Sequence, residues 1–310
     1  MALAYQEWLP SDGLRGTILT FWSVAGEGSS VPSPTILPDA YVEIVVNLGD
    51  SVTLLGPAFA GRQPARVVVG LLERAIPMRY GRQVRAFGIR LHPARAAGFL
   101  GVAAAHLANQ LTRLGRLAPQ CDARVAQWLR GDPQLESAQD RSALEALLEE
   151  PWRQSQGSDR LVVRAVDRLL GAEAPVTVVE LARELGVTPR HLQRRFVATV
   201  GTAPKRLERL ARFARTWQQA TMGPVLGWAE LAYANGYADQ AHLVREFRAF
   251  GANPPTHLFT PEWYDKTTVR RTNAWSHEVR VVQSHRGGND PPLTHRRRTP
   301  APPAKGRHST

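Results

Sequence analysis

The sequence holds a single cysteine, Cys121, so a disulfide-stapled fold is excluded: no internal pair can form. It lacks any run of about 20 apolar residues, the length that a membrane-spanning helix requires. Its start, MALAYQEWLPSDGLRG, shows no basic stretch followed by an apolar one, the pattern of a secretory leader. Histidines, carboxylates and the cysteine are nowhere spaced as a metal site, so neither metal nor cofactor is expected. Together these absences predict a cytoplasmic protein with no membrane partner.

What is present is a chain of 310 residues, 43% of them hydrophobic, enough to bury a sizeable core and to form two domains. The formal charge of +12 is unevenly spread. Residues 266–310 carry 10 Lys and Arg against 2 Asp and Glu, residues 158–265 carry 14 against 11, and residues 1–157 carry 15 against 14. Most of the excess thus belongs to a Pro-, Gly-, Arg- and His-rich tail that cannot form a packed core and is expected to be disordered. Its Arg296-Arg297-Arg298 either touches phosphates nonspecifically or is simply solvated. The middle region is only mildly basic, so any case for nucleic acid there rests on where particular arginines sit.

Up to about Leu91 the chain reads as strands at 17–24, 41–48, 52–55, 66–72, 76–80 and 85–91, separated by Gly and Pro. Val42, Ile44, Val46 and Leu48 alternate with Tyr41, Glu43, Val45 and Asn47, the period-2 pattern of a strand. After Pro93 the pattern turns helical over 94–114, 123–129 and 142–149, where Ala and Leu replace the β-branched residues. The polar stretch PWRQSQGS at 151–158 reads as a linker. The expected fold class is α+β. A β-rich N-terminal domain with trailing helices occupies 1–150, the linker 151–158, an all-α domain 159–265, and the basic tail 266–310.

The all-α region carries one helical unit twice. Leu181-Ala182, Gly186, Leu192, Phe196, Gly201 and Pro204 recur as Leu231-Ala232, Gly236, Leu243, Phe247, Gly251 and Pro254. Each copy reads as a helix, a turn opened by Gly, and a second helix with Leu and Phe on one face: a tandem helix-turn-helix. In the first copy Gly186 ends a helix in the left-handed conformation, Thr188 caps the next, and Pro189 fits its first position. Leu192, Phe196 and Val197 then face inward, and Arg190, His191, Gln193, Arg194 and Arg195 outward. Arg suits the two acceptors of guanine and Gln the edge of adenine, each good bidentate pair giving roughly 1 to 3 kcal/mol of discrimination; the bland reading is a solvated helix face.

A connecting helix follows from Pro204 to about Ala220, with Leu207, Leu210, Ala211, Ala214 and Trp217 as its apolar stripe. Sixteen residues from Lys205 span about 24 Å, a strut suited to two helices reading major-groove segments roughly 34 Å apart. Lys205, Arg206 and Arg209 are expected to contact the DNA backbone. In the second copy Asp239 caps a helix that turns Leu243, Phe247 and Phe250 inward and Gln240, Ala241, His242 and Arg245 outward.

LARELGVTPRHLQRRF and GYADQAHLVREFRAFGANPP, with Gly-x-x-Pro after each unit, make residues 160–260 resemble the DNA-binding domain of AraC/XylS-type transcriptional regulators. The resemblance implies a homeodomain-like domain of seven helices whose third and sixth, here 189–200 and 239–250, enter adjacent major-groove segments. Base-contacting positions then fall on Arg190, Gln193 and Arg194, and on Gln240, Ala241, His242 and Arg245. Tyr237 and Leu243 stand where Phe is commoner, and Ala241 is too small to hydrogen-bond a base, which shifts the second unit towards backbone docking. Leu37-Pro38-Asp39-Ala40-Tyr41-Val42-Glu43 resembles the Leu-Pro-Asp-x-x-x-Glu signature of one subgroup. The implied function is a bacterial sequence-specific regulator such as an activator. Its implied partners are double-stranded DNA at a bipartite promoter site, a small-molecule effector at the N-terminal domain, a second copy of the chain, and RNA polymerase.

Within the N-terminal domain, Asp39 and Glu43 either line a pocket or serve as a turn cap and a solvated strand residue. His92-Pro93 marks a strand-to-helix junction, and His106 stands alone on a helix. Three alternatives compete with the regulator. A cupin-like enzyme would need clustered His and carboxylates in the strands, and a repair protein transferring alkyl groups to cysteine would need a Pro-Cys-His context that Pro119-Gln120-Cys121-Asp122 lacks. A purely architectural DNA binder would not need the N-terminal domain. No catalytic residue and no effector-binding residue is assigned, and a non-enzyme is expected.

Overall fold

A computed structural model describes residues 3–28, 35–172, 176–222 and 227–251. The N-terminal part is built from ten strands: β1 (Ala4–Trp8), β2 (Ile18–Glu27), β3 (Thr35–Ile36), β4 (Val42–Asn47), β5 (Thr53–Leu54), β6 (Gly61–Arg62), β7 (Arg66–Val69), β8 (Ile76–Arg79), β9 (Gln83–Leu91) and β10 (Leu111–Arg113). They form a six-stranded sheet in the order β1-β2-β9-β4-β7-β10 and a smaller one in the order β3-β8-β5-β6. The α+β class read from the sequence is the observed one.

Alternation explains the large sheet. In the β4–β9 ladder Val42 pairs Leu91, Ile44 pairs Ile89 and Val46 pairs Phe87, and all six sit in one hydrophobic core. The opposite face of the same strands holds Glu43 opposite Arg90. It also carries the indole of Trp22 over Gly88, where a Cβ would lie 2.2 Å from Trp22 Cε2; only glycine admits the ring.

The helix expected over 94–114 is three things instead. Helix α1 (Pro93–Leu100) stops at Gly101, whose φ of 68° is the left-handed conformation that closes a helix. A 3-10 turn follows (Ala104–Leu107), and then β10, which pairs with β7. Ala-rich composition misled here because Gly101 and Asn109, the latter at φ 50°, break the backbone twice. His92 caps α1 through Nδ1, which accepts from Ala94 N–H, so the strand-to-helix junction stands where it was expected.

Short α2 (Leu114–Leu117) and α3 (Pro119–Leu129) lead to α4 (Ala138–Ser155). The linker reading of 151–158 is corrected: residues 151–155 are the last turn of α4, with Pro151 and Ser155 buried. Ser155 Oγ lies 3.0 Å from Thr17 Oγ1, and a Cβ on Gly98 of α1 would come within 3.2 Å of Ser155 Cα. Arg153 and Gln154 face solvent, while Ser155 and Gln156 bond Thr17 at the start of the sheet.

Six helices follow: α5 (Arg160–Leu170), α6 (Val178–Glu184), α7 (Pro189–Val200), α8 (Pro204–Met222), α9 (Trp228–Ala234) and α10 (Gln240–Gly251). Asp159 caps α5 by accepting from Leu161 and Val162 N–H, and Thr177 with Glu180 forms a reciprocal capping box on α6. One hydrophobic core runs from Ile18 and Phe21 through Phe99 to Phe196 and Phe250, so sheet and helical regions share a core rather than meeting across a spacer. Pro254 and the tail over 266–310 lie outside the described residues. No described helix is long and apolar enough to cross a membrane.

Candidate nucleic-acid interface

The turn between α6 and α7 forms for local reasons. Gly186 adopts φ 68°, Thr188 Oγ1 accepts from His191 N–H at 3.2 Å, and Pro189 occupies the first helical turn, where its missing N–H costs nothing. Leu192, Phe196 and Val200 are buried. Val197, expected to face inward, is 43% exposed, and Val200 takes its place one turn on.

Arg190, Gln193 and Arg194 stand exposed on α7 and form no hydrogen bond or ion pair among the described residues. Arg195 was expected on the same outward face and does not join it. Its guanidinium clamps Asp159 in a two-pronged pair, Nε to Oδ2 and Nη2 to Oδ1, both at 2.6 Å. Burial pushes the Asp159 carboxyl up, but the hydrogen bond from Arg195 and the N–H groups of Val162 and Leu161 outweigh it, and the net direction is below the usual aspartate range. His191 is half-buried, its Nε2 3.4 Å from Arg195 Nη1. The free head of α7 is therefore three residues wide.

The second unit repeats the turn with φ 69° at Gly236, and Asp239 Oδ1 caps α10 by accepting from His242 N–H at 2.6 Å. Leu243, Phe247 and Phe250 are buried, as expected. Gln240 and Arg245 are exposed and unpaired among the described residues, and so is Arg248, which the sequence reading passed over although it lies one turn beyond Arg245. His242 is tied inward: its ring meets Tyr237 edge to face at 5.3 Å between centroids, and its Nδ1 accepts from Ala238 N–H at 3.3 Å. That leaves Nε2 as the remaining polar edge of the ring.

The three residues expected to contact the DNA backbone all have partners within the protein. Arg209 donates to Glu246 Oε1 at 2.6 Å, and Arg206 reaches Glu73 of the sheet domain at 3.2 Å. Both guanidiniums also stack near the Phe250 ring, at 5.1 and 5.2 Å. Lys205 pairs with Glu208 at 3.0 Å, though its side chain stays 62% exposed. The physical reason is that α8 is largely enclosed: Glu208 and Glu246 are buried, and arginines are needed to neutralise them. Arg212 completes the set, bridging Glu208 and Glu246 and lying 4.8 Å over the Tyr237 ring.

In the N-terminal domain, Asp39 Oδ1 accepts from Tyr41 N–H, the turn-cap role. Glu43 is neither solvated nor free. It is 6% exposed and receives the buried Arg90 at 2.9 Å, with Glu7 3.6 Å from the same guanidinium. A lone Arg inside the apolar run of β9 was the signal for this pair. Cys121 is buried, and burial pushes its thiol up to about 12, which disfavours the thiolate form. Among the described residues, no three His, Cys, Asp or Glu side chains gather as a metal site would require.

Residues 181–260 match a family model described as a helix-turn-helix domain, and residues 6–113 match one described as a domain of unknown function, DUF6597. No curated protein matches the chain. Among solved structures, the chain is similar to ToxT from Vibrio cholerae O395, with 10% identity and a TM-score of 0.44 over 86% of this chain and 98% of that one. A ToxT structure with bound unsaturated fatty acid, from Vibrio cholerae strain SCE256, gives 10% and 0.41 over 82% and 93%. The AraC-like transcriptional activator CuxR gives 12% and 0.29 over 69% and 80%.

Proposed function

We propose that the chain, which carries a helix-turn-helix domain, is an AraC-type transcriptional regulator that reads a bipartite promoter site with α7 and α10, and that its N-terminal domain modulates that reading. The observation that carries this is the free triad Arg190, Gln193 and Arg194, exposed on α7, whose other face is buried through Leu192, Phe196 and Val200. Arginine and glutamine are the side chains best matched to guanine and adenine edges in the major groove. The connecting helix supports the bipartite reading: 19 residues at about 1.5 Å each give about 28 Å, near the roughly 34 Å of one DNA turn.

Gln240 and Arg245, with the Nε2 edge of His242, form the second head, and Arg248 is its adjacent phosphate contact. Lys205 keeps a phosphate role through its exposed side chain. The same reading makes a small molecule or partner at the N-terminal domain, dimerisation and contact with RNA polymerase the routes of control, and places the chain in the cytoplasm. The test is recovery of fragmented genomic DNA by the intact chain at near-physiological salt. Enrichment of a few fragments upstream of genes supports the reading; even coverage of the genome overturns it.

A further inference from the structure

The C-terminal ends of both candidate reading helices meet the same small piece of the sheet domain. Two chain segments make it: 70–75, which leaves β7, and 104–110, which enters β10. They are bonded to each other before they touch any helix. Leu71 N–H donates to Leu107 O at 2.8 Å, Asn109 N–H to Leu71 O at 2.9 Å, Gly70 N–H to Gln110 O at 2.8 Å, and Glu73 N–H to Asn109 Oδ1 at 3.0 Å. The approach at Gly70 is close enough that a Cβ would lie 2.0 Å from Leu107 O. Because β7 and β10 pair antiparallel, the double loop continues the large sheet.

The first contact is at the end of α7. Gly201 closes that helix at φ 82°, and a Cβ there would lie 2.2 Å from Ala104 O. The second is at the end of α10, where Ala75 N–H donates to Phe250 O at 2.6 Å. The third is the ion pair of Glu73 with Arg206 of α8, whose guanidinium also lies near the Phe250 ring. One platform thus touches the first turn of α8 and the C-terminal ends of α7 and α10, opposite the capped N-termini by which such helices enter a groove.

We propose that the double loop 70–75 and 104–110 is a spacing gauge: it holds the ends of α7 and α10 in one relation, so that the N-terminal domain sets which separation of the two DNA boxes is read. This rests on the reading of α7 and α10 as the DNA-facing helices. The connecting helix alone fixes only one of the distances between the units. Helices held by the strut alone would tolerate more spacings than helices docked on a common base as well.

The test uses the intact chain with Glu73→Arg, a change at a half-exposed side chain that repels Arg206, and the exchange Glu73→Arg with Arg206→Glu, which restores the pair. Spin labels at Ala198→Cys and Ala249→Cys, both exposed positions, report the separation of α7 and α10 without DNA. One narrow distance distribution in the parent, broad in Glu73→Arg and narrow again in the exchange, supports the gauge; equal widths in all three overturn it. On duplexes carrying both boxes, inserting two base pairs between them should cost the parent about 100-fold, because the two heads can no longer engage together, and Glu73→Arg only a few-fold. Equal spacer dependence overturns the gauge and leaves the proposed function intact. Absence of any preferred duplex for the parent overturns both.

Discussion

The two helix-turn-helix units share a scaffold and differ in what they offer a ligand. Both close on a left-handed glycine, both cap the second helix with a short polar side chain, and both bury a Leu and a Phe at corresponding positions. On α7 three hydrogen-bonding side chains stand free. On α10 His242 is drawn to Tyr237, Ala241 has nothing to donate, and the free groups are Gln240, Arg245 and Arg248. The anchoring differs too: α7 is tied to the start of α5 by one arginine-aspartate clamp, whereas α10 is tied to α8 through the buried Glu246 and two arginines, Arg209 and Arg212. Selectivity should therefore be concentrated in the first unit, and the second should hold the protein in place on the duplex.

The largest effects should be alike in the two units. Phe196→Ala and Phe247→Ala each remove a fully buried ring and should cost about 3 to 5 kcal/mol of stability, measured by chemical denaturation. Because the core is continuous, each variant should still unfold in one transition; a separate early transition for either unit would break the shared-core account. Next come the heads. Arg194→Ala should lower affinity for the preferred duplex by about 1 to 3 kcal/mol and relax choice at one base position. Arg248→Ala should weaken all duplexes alike and reduce the salt dependence of binding. If those two outcomes were exchanged, the assignment of roles to the units would be reversed.

Smaller effects sharpen the contrast. His242→Ala should cost roughly 0.5 to 1.5 kcal/mol of stability through the lost ring pair, with little change in the ranking of duplexes; a change of preferred base would make His242 a reader. The Asp159 clamp gives α7 an acid dependence. Its carboxyl is held below the ordinary aspartate range, so its contribution to stability is complete above about pH 4 and is lost as pH falls through the lowered value. Asp159→Asn should remove that part of the acid profile, seen in thermal melts between neutral and acid pH.

How far the sequence disclosed this structure follows from how local each cause was. Gly186, Thr188, Pro189 and Asp239 act within four residues of themselves, and all do what their types predict. The core face of β4 was likewise readable, since alternation is a property of the strand alone. What stayed hidden depends on distant partners: Arg206 on Glu73, Arg209 on Glu246, Arg195 on Asp159 and Glu43 on Arg90. A count of basic residues on a helix cannot separate an arginine that neutralises a buried carboxylate from one that awaits a phosphate. The stretch 151–158 was misread for a related reason, because its polar composition describes its solvent side and not the Thr17 and Gly98 contacts of Ser155. Tyr237 and His242, five residues apart, were within reach of sequence reasoning and were missed.

The most direct measurement is selection of bound sites from a random duplex library by the intact chain, at near-physiological salt and with excess nonspecific competitor to suppress the basic tail. The account predicts a motif of two boxes about one DNA turn apart, the stronger lost on Arg194→Ala and the weaker on Arg245→Ala. Recovery of no motif, with binding that fades evenly as salt rises, would contradict it.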